Sequence, residues 1–152
     1  MKTVLVTGAT GLVGDGICRY FLKNGWSVFG TSRNDIISNH PLFTPIKLEL
    51  GSENSFEQLS KYLPFHLVIH NAAKLPHSLL NEKDIENYYN YNVKGTRYFL
   101  EWAKKSKVKT FIFISSTSVI SSNSRNFEEA NLLSPDLDHY KISKAMGEIL
   151  CG

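Results

Sequence analysis

Three glycines, Gly8, Gly11 and Gly14, follow directly on the apolar run Val4-Leu5-Val6. A buried strand that breaks at a glycine and resumes as a helix has few ways to fold. Gly8 takes the chain out of the strand, Gly11 lets the backbone approach a pyrophosphate, and Gly14 lets the helix pack closely on the sheet. The helix N-terminus then offers unpaired N–H donors and a positive dipole end to phosphates. On this reading Gly8, Thr10, Gly11, Leu12, Val13 and Gly14 form a dinucleotide cradle. A simple tight turn with packing glycines is the plainer alternative. The position between a strand and a helix favours the cradle.

The rest of the chain alternates apolar strand-like runs with amphipathic helical stretches, the pattern of βαβ units. Strands are expected at about Thr3–Thr7, Ser27–Thr31, Pro45–Glu49, His66–His70 and Thr110–Ile114. Helices are expected at about Gly11–Lys23, Ser55–Tyr62, Asp84–Lys105 and from Asp138 onward. Strands this apolar are expected to be buried on both faces, as parallel strands are. The fold class is therefore α/β, a doubly wound parallel Rossmann sheet in the order 3-2-1-4-5. With 152 residues and 42% hydrophobic content, one domain with a real core is expected over residues 1–152.

Composition narrows the function. The net charge of +3 is too small and too dispersed for nucleic-acid binding. The densest basic stretch, Lys104 to Lys109, falls where a long helix should end, and cations favour that end. Two cysteines, Cys18 and Cys151, make no disulfide framework, so a reduced, cytoplasmic setting is expected. No apolar run approaches the roughly 20 residues of a membrane span. His66 and His70 share a face of an extended strand but stand about 13 Å apart, so no metal site is expected.

Two further segments carry chemistry. After the second strand the chain reads Gly30-Thr31-Ser32-Arg33, with no acid before Asp35. A carboxylate at that place would suit the ribose hydroxyl of NAD. A guanidinium suits the 2′-phosphate of NADP, and Ser32 adds a donor. NADP is therefore favoured over NAD, the alternative being that Asp35 serves the ribose. Near the end, Tyr140 and Lys144 are placed to share one face of a helix. Free tyrosine, with a pKa of about 10, is a poor base at neutral pH. A neighbouring ammonium favours the phenolate and suits proton exchange with a carbonyl oxygen.

The spacing T-G-x-x-G-x-x-G from Thr7 to Gly14 resembles the short-chain dehydrogenase/reductase superfamily, in particular its extended branch of epimerases, dehydratases and reductases. Asn71-Ala72-Ala73 is similar to that branch's N-A-A segment lining the adenosine side of the cofactor. Asn92-Val93-Lys94-Gly95-Thr96 resembles its N-V-x-G-T, Ser115 to Val119 its serine segment, and Tyr140 to Lys144 its Y-x-x-x-K. The resemblance implies Ser116, Tyr140, Lys144 and Asn92 as catalytic residues, with Thr117 second to Ser116 and Asn92 in a proton relay to the lysine. It places Glu49-Leu50 near the adenine and gives Lys144 a second role at the nicotinamide ribose. It also implies a homodimer through the helices bearing Asn92 and Tyr140. The many aromatics of the long helix (Tyr88, Tyr89, Tyr91, Tyr98, Phe99, Trp102) fit such a partner.

Two departures stand out: Val119-Ile120-Ser121 replaces V-Y-G, and Lys141 replaces the glycine after the tyrosine. The sequence stops at Gly152, whereas extended members continue with further strands and a substrate domain. The chain is thus expected to be their N-terminal half, inactive alone. The function expected is NADP-dependent epimerase, dehydratase or reductase chemistry on a nucleotide sugar. The alternatives are a hydroxysteroid- or dihydroflavonol-type reductase, or a non-enzymatic NADP-binding sensor.

Overall fold

A computed structural model describes residues 1–76, 82–119 and 139–152. In chain order the elements are β1 (Thr3–Thr7), α1 (Leu12–Lys23), β2 (Ser27–Ser32), β3 (Phe43–Lys47), a 3₁₀ helix (Glu53–Tyr62) and β4 (Leu67–His70). There follow α2 (Glu82–Asn87), a π-helical segment (Tyr88–Lys94), α3 (Gly95–Lys105), β5 (Phe111–Phe113), a 3₁₀ turn (Thr117–Val119) and α4 (His139–Cys151). The strands form one parallel sheet in the order β3-β2-β1-β4-β5. The order reverses between β1 and β4, the switch point beside which α/β sheets bind ligands.

Two apolar layers cover the sheet. Val4, Val6, Val28 and Ile69 face α1, where Cys18 is buried against them. Leu5, Ile46 and Val68 face the other way, toward Phe56 and Leu59 of the 3₁₀ helix and Phe99 and Trp102 of α3. Phe99 stacks on both Phe56 and Trp102, with ring centroids 5.3 and 5.6 Å apart. The alternation of Val4, Leu5 and Val6 between the layers follows the two-residue period of a strand. Burial on both faces holds for β1, whose Val4, Leu5 and Val6 are fully buried. It does not hold at the edges, where Ile112 is 42% exposed and Pro45 and Lys47 of β3 reach solvent.

Three elements differ from expectation. β3 begins at Phe43, two residues before Pro45. The Phe43 ring covers Gly30 of β2, where a Cβ would overlap it. Pro45 is tolerated because an edge strand has an N–H direction that needs no partner. The second helix is 3₁₀ throughout. The long helix is divided by the π-helical segment that carries Asn92. Asp138, Ile120 and Ser121 lie outside the described residues.

Helix α1 ends as its Asn24-Gly25 signal implies: Gly25, at φ +74°, sends its N–H to Leu22 O at 3.0 Å. At its start, a Cβ on Gly14 would overlap the Gly8 carbonyl oxygen and come within 2.8 Å of Asn71 Nδ2, whereas a Cβ on Gly16 meets nothing within 4 Å. Replacing Gly16 with Ala should raise stability by about 0.5–1 kcal/mol through helix propensity. Replacing Gly14 with Ala should lower it by about 1–3 kcal/mol through overpacking. Urea unfolding of both variants checks the pair. Shifts in the same direction would mean that the helix–turn contact does not limit residue size.

Candidate active site

The cradle forms where β1 stops. Gly8 adopts φ +70°, and a Cβ there would stand 2.9 Å from Ala72 Cα. Gly11 caps α1 with extended backbone and no side-chain hydrogen bond, leaving the first amides of the helix open to an incoming group. These residues border a cavity of about 490 Å³. Its walls are Gly8 and Thr10 to Val13, Thr31 to Asn34 after β2, Leu48 and Leu50 after β3, Asn71 to Leu75 after β4, and Tyr91.

Most expected cofactor residues therefore share one cavity. Gly14 does not line it; it is buried behind, under Gly8 and Asn71. Glu49 is exposed and does not line it either. The chain alternates there, so Leu48 and Leu50 point inward and the carboxylate outward. Thr10 Oγ1 and Ser32 Oγ are 3.2 Å apart, joining the glycine turn to the end of β2. The Arg33 guanidinium stands 5.8 Å from the centre of the Tyr91 ring. Asp35 turns away, 3.5 Å from Lys47 Nζ in an exposed pair.

The wall from Asn71 to Lys74 is held by its backbone. Thr7 Oγ1 accepts from the Asn71 and Ala72 amides at 3.1 and 3.0 Å. Asn92 Oδ1 accepts from the Lys74 amide at 2.7 Å, and Asn92 Nδ2 donates to the Lys74 carbonyl at 3.1 Å. Asn92 Nδ2 also donates to Ser143 Oγ at 2.9 Å, which donates to Tyr140 O at 2.7 Å. The side chain of Asn92 thus ties the cavity wall to α4. Lys74 pairs with Asp84 at 3.3 Å, fastening the same wall to α2.

Two of the catalytic candidates, Ser116 and Lys144, lie at the end of β5. Ser116 Oγ lies 2.7 Å from Ser118 Oγ, in the turn that follows the strand. Thr117 is exposed. The Ser115 hydroxyl is buried with no hydrogen-bond partner among the described residues. Lys144 is 2% exposed; its Nζ donates to Ile114 O at 2.7 Å and sits 4.1 Å from the centre of the Phe113 ring. Burial brings its pKa down from 10.5 to about 8, against a smaller upward pull from Cys151 and Glu148. Tyr140 lies one turn before it on α4, its ring 6.0 Å from that of Tyr88. Tyr140, Lys144 and Ser116 do not line the cavity; they stand at the next strand end.

The sequence matches the NAD dependent epimerase/dehydratase family over residues 4–152. The chain belongs to that family. It is 32% identical over 160 residues to a decarboxylating sterol-4-alpha-carboxylate 3-dehydrogenase of Dictyostelium discoideum, covering 97% of this chain and 47% of that protein. It is 33% identical over 119 residues to a putative dihydroflavonol 4-reductase of Synechocystis, covering 76% of this chain and 33% of that one. Its fold superposes on a UDP-glucuronic acid 4-epimerase from Bacillus cereus, solved with NAD, at a TM-score of 0.82 and 29% identity. That match covers 98% of this chain and 51% of the epimerase. The chain thus spans about half the length of the dehydrogenase and the epimerase. The family is one of NAD-dependent epimerases and dehydratases, and this chain corresponds to the N-terminal half of the family's fold. No helix among the described residues is long and apolar enough to cross a membrane.

Reading the sequence missed several residues of this family site. Thr7 read only as the first residue of the glycine motif and His70 only as a metal candidate set aside, but their side chains are bonded to each other at 2.8 Å. Ser143 lies between the two conspicuous residues of α4 and offers no signal of its own. Tyr91 read as one of many aromatics. The aromatics themselves find places within this chain: Phe99 and Trp102 in the core, Tyr98 packed against it, Tyr91 at the cavity, and Tyr89 hydrogen-bonded to His139 Nδ1 at 3.0 Å.

Lys144 is a cation with no carboxylate in ion-pair range among the described residues. Below pH 8 it therefore costs the fold its desolvation. Between pH 8 and 10.5 the unfolded chain binds more proton at this lysine than the folded one, so the cost fades as pH rises. Lys144→Met should be more stable than the parent at pH 7, by on the order of 3 kcal/mol, and the gap should close by about pH 10.5. Urea midpoints across that range decide it. A gap that ignores pH would place the effect in packing instead.

Proposed function

We propose that this chain supplies the cofactor half and the acid/base residues of an NADP-dependent enzyme acting on a nucleotide sugar by hydride transfer. The observation that carries the reading is Lys144, buried and desolvated at the end of β5 beside the cavity, one helical turn from Tyr140 and bonded to the residue two before Ser116. The nicotinamide, when bound, supplies or accepts the hydride. Around it, the open amides of α1 hold the pyrophosphate, and Leu48 and Leu50 give an apolar wall on the adenine side. Tyr140 exchanges a proton with the substrate oxygen, Ser116 holds that oxygen, and the Lys144 ammonium favours the tyrosinate.

Arg33 supports the choice of NADP. It lines the cavity at the end of β2, whereas Asp35, the alternative ribose partner, does not line it and faces Lys47. The nucleotide-sugar reading rests on likeness to the epimerase. The similarity to sterol and dihydroflavonol enzymes supports a second reading, an alcohol dehydrogenase or ketone reductase on an apolar ring system. We also propose a homodimer. Its support is the face of α4 bearing Met146, Ile149 and Leu150, exposed at 39, 73 and 39%. Light scattering of the full-length protein tests it, and a monomer at micromolar concentration would sink it.

Arg33→Ala should weaken NADP binding by about 1.5–3 kcal/mol, the range of a charge-assisted hydrogen bond, and leave NAD nearly unchanged. Calorimetric titration with both cofactors checks this, and equal losses would reduce Arg33 to a turn residue.

In the full-length protein, oxidation of reduced nicotinamide should proceed with a 4-keto sugar nucleotide and not with a 3-ketosteroid or a dihydroflavonol. Tyr140→Phe should abolish that turnover while cofactor binding survives. Turnover of the steroid or flavonol alone would favour the second reading. Full activity in Tyr140→Phe would remove the tyrosine as acid/base.

A further inference from the structure

His70 ends β4 with its ring 1% exposed, packed against Phe99, Phe111 and Phe113 at centroid distances of 5.1, 6.1 and 5.7 Å. Both ring nitrogens are bonded: Nδ1 lies 2.8 Å from Thr7 Oγ1, and Nε2 lies 3.0 Å from Thr96 Oγ1. Counting protons fixes the direction of every bond. Thr7 Oγ1 already accepts the Asn71 and Ala72 amides, which uses both of its lone pairs. Its single proton therefore goes to His70 Nδ1. That nitrogen is an acceptor, so Nε2 carries the ring proton and donates to Thr96 Oγ1. Thr96 in turn donates to the Asn92 main-chain carbonyl at 2.6 Å. Reversing the Thr7–His70 bond would leave the Thr7 proton without an acceptor and set the bare Nε2 against a Thr96 oxygen whose proton is already given to Asn92. A charged ring fails the same count, and burial first, then the nearby Lys144, holds the His70 pKa down at about 3.

The chain of bonds has a destination. Thr7 grips the first two amides of the wall from Asn71 to Lys74, and Asn92 grips its last residue at both N–H and C=O. His70 and Thr96 join these two grips through the interior. We propose that His70 is a positioning residue for cofactor binding: its neutral Nδ1 takes the Thr7 proton, so that both lone pairs of that hydroxyl face the Asn71 and Ala72 amides and fix the cavity wall. This rests on the reading of the cavity as the cofactor site. Without an acceptor at residue 70 the Thr7 proton must turn elsewhere, and one of the two amides loses its partner. Among the described residues, Lys144 is the charged group that acts on the ring, which otherwise faces the three phenylalanines and the two threonines.

The test is a double-mutant cycle on the full-length protein, read as the dissociation constants of NADP and NAD. His70→Phe keeps ring volume but offers no acceptor, and should raise the constants about tenfold, the worth of one buried hydrogen bond. Thr7→Val should raise them at least as much. The double variant should bind no worse than Thr7→Val alone. His70→Asn sets a carbonyl oxygen near the place of Nδ1. It should bind within about threefold of the parent, even though the lost ring volume lowers its melting temperature. Affinity would then follow the acceptor and not stability, which a purely structural histidine would not produce. If His70→Phe does not fold, His70→Gln serves, because it keeps a donor toward Thr96 and places no acceptor at Thr7. Near-parental affinity in His70→Phe or its Gln substitute, independent effects of the two positions, or an equal loss in His70→Asn overturns the proposal. A folded parent protein that binds neither cofactor overturns it together with the site reading. Parental binding with unmoved variants overturns this proposal alone.

Discussion

Between the carboxyl ends of β1 and β4 two stretches of backbone pass closer than side chains allow. A Cβ at Gly8 would stand 2.9 Å from Ala72 Cα, and one at Gly14 would overlap the Gly8 carbonyl oxygen. The turn after β1, the wall after β4 and the start of α1 therefore share one packed junction. Asn71 closes it by donating from Nδ2 to the Gly8 carbonyl at 3.3 Å. Because α1 is pressed against this junction, its open amides face the cavity. Because β1 and β4 pair in register from Val4↔Leu67 to Thr7↔His70, Thr7 and His70 end side by side. Binding geometry and core packing are thus set by the same few contacts.

The parts of this arrangement that depend on local chemistry were legible in the sequence. Gly8, Gly11 and Gly14 mark the turn because few residues tolerate that backbone. The sheet order follows from alternating strands and helices and the rules of parallel connection. The parts that depend on distant partners were hidden. Phe43 belongs to β3 because Gly30, on another strand, leaves room for its ring. The π-helical turn around Asn92 has no mark in the residues from Tyr88 to Lys94. It brings the side chain of Asn92 toward Lys74 and Ser143 and its carbonyl toward Thr96. Glu49 was expected at the adenine, yet strand-like alternation turns it outward between Leu48 and Leu50. His70 read only as a strand histidine too far from His66 to share a metal, since nothing in its neighbourhood along the chain reveals Thr7 or Thr96.

Two bases lie buried close together, and they coexist because only one carries charge. The imidazole of His70 satisfies both nitrogens with hydroxyls while remaining neutral. A second cation there would repel Lys144 across a low-dielectric layer of phenylalanine rings. Lys144 keeps its proton by donating to the Ile114 carbonyl and resting over the Phe113 ring, both weaker compensations than a carboxylate. An ion pair would have held the lysine charged and passive. Burial, only partly opposed by Cys151 and Glu148, leaves its pKa near 8, where a change in the charge beside it moves protons at neutral pH.

Asn92 joins these two halves of the site. Its carboxamide offers one acceptor and two donor hydrogens, and each has a partner: the Lys74 amide, the Lys74 carbonyl and Ser143 Oγ. Ser143 passes the link to the Tyr140 carbonyl, within the turn of α4 that separates Tyr140 from Lys144. A displacement of the wall after β4 therefore cannot occur without breaking a buried bond to the helix that carries Tyr140 and Lys144. Buried amides left unpaired cost on the order of 1–3 kcal/mol each, so the wall and α4 move together or not at all. The geometry that shapes the cavity is in this way the same geometry that sets the height of Tyr140 and Lys144 beside it.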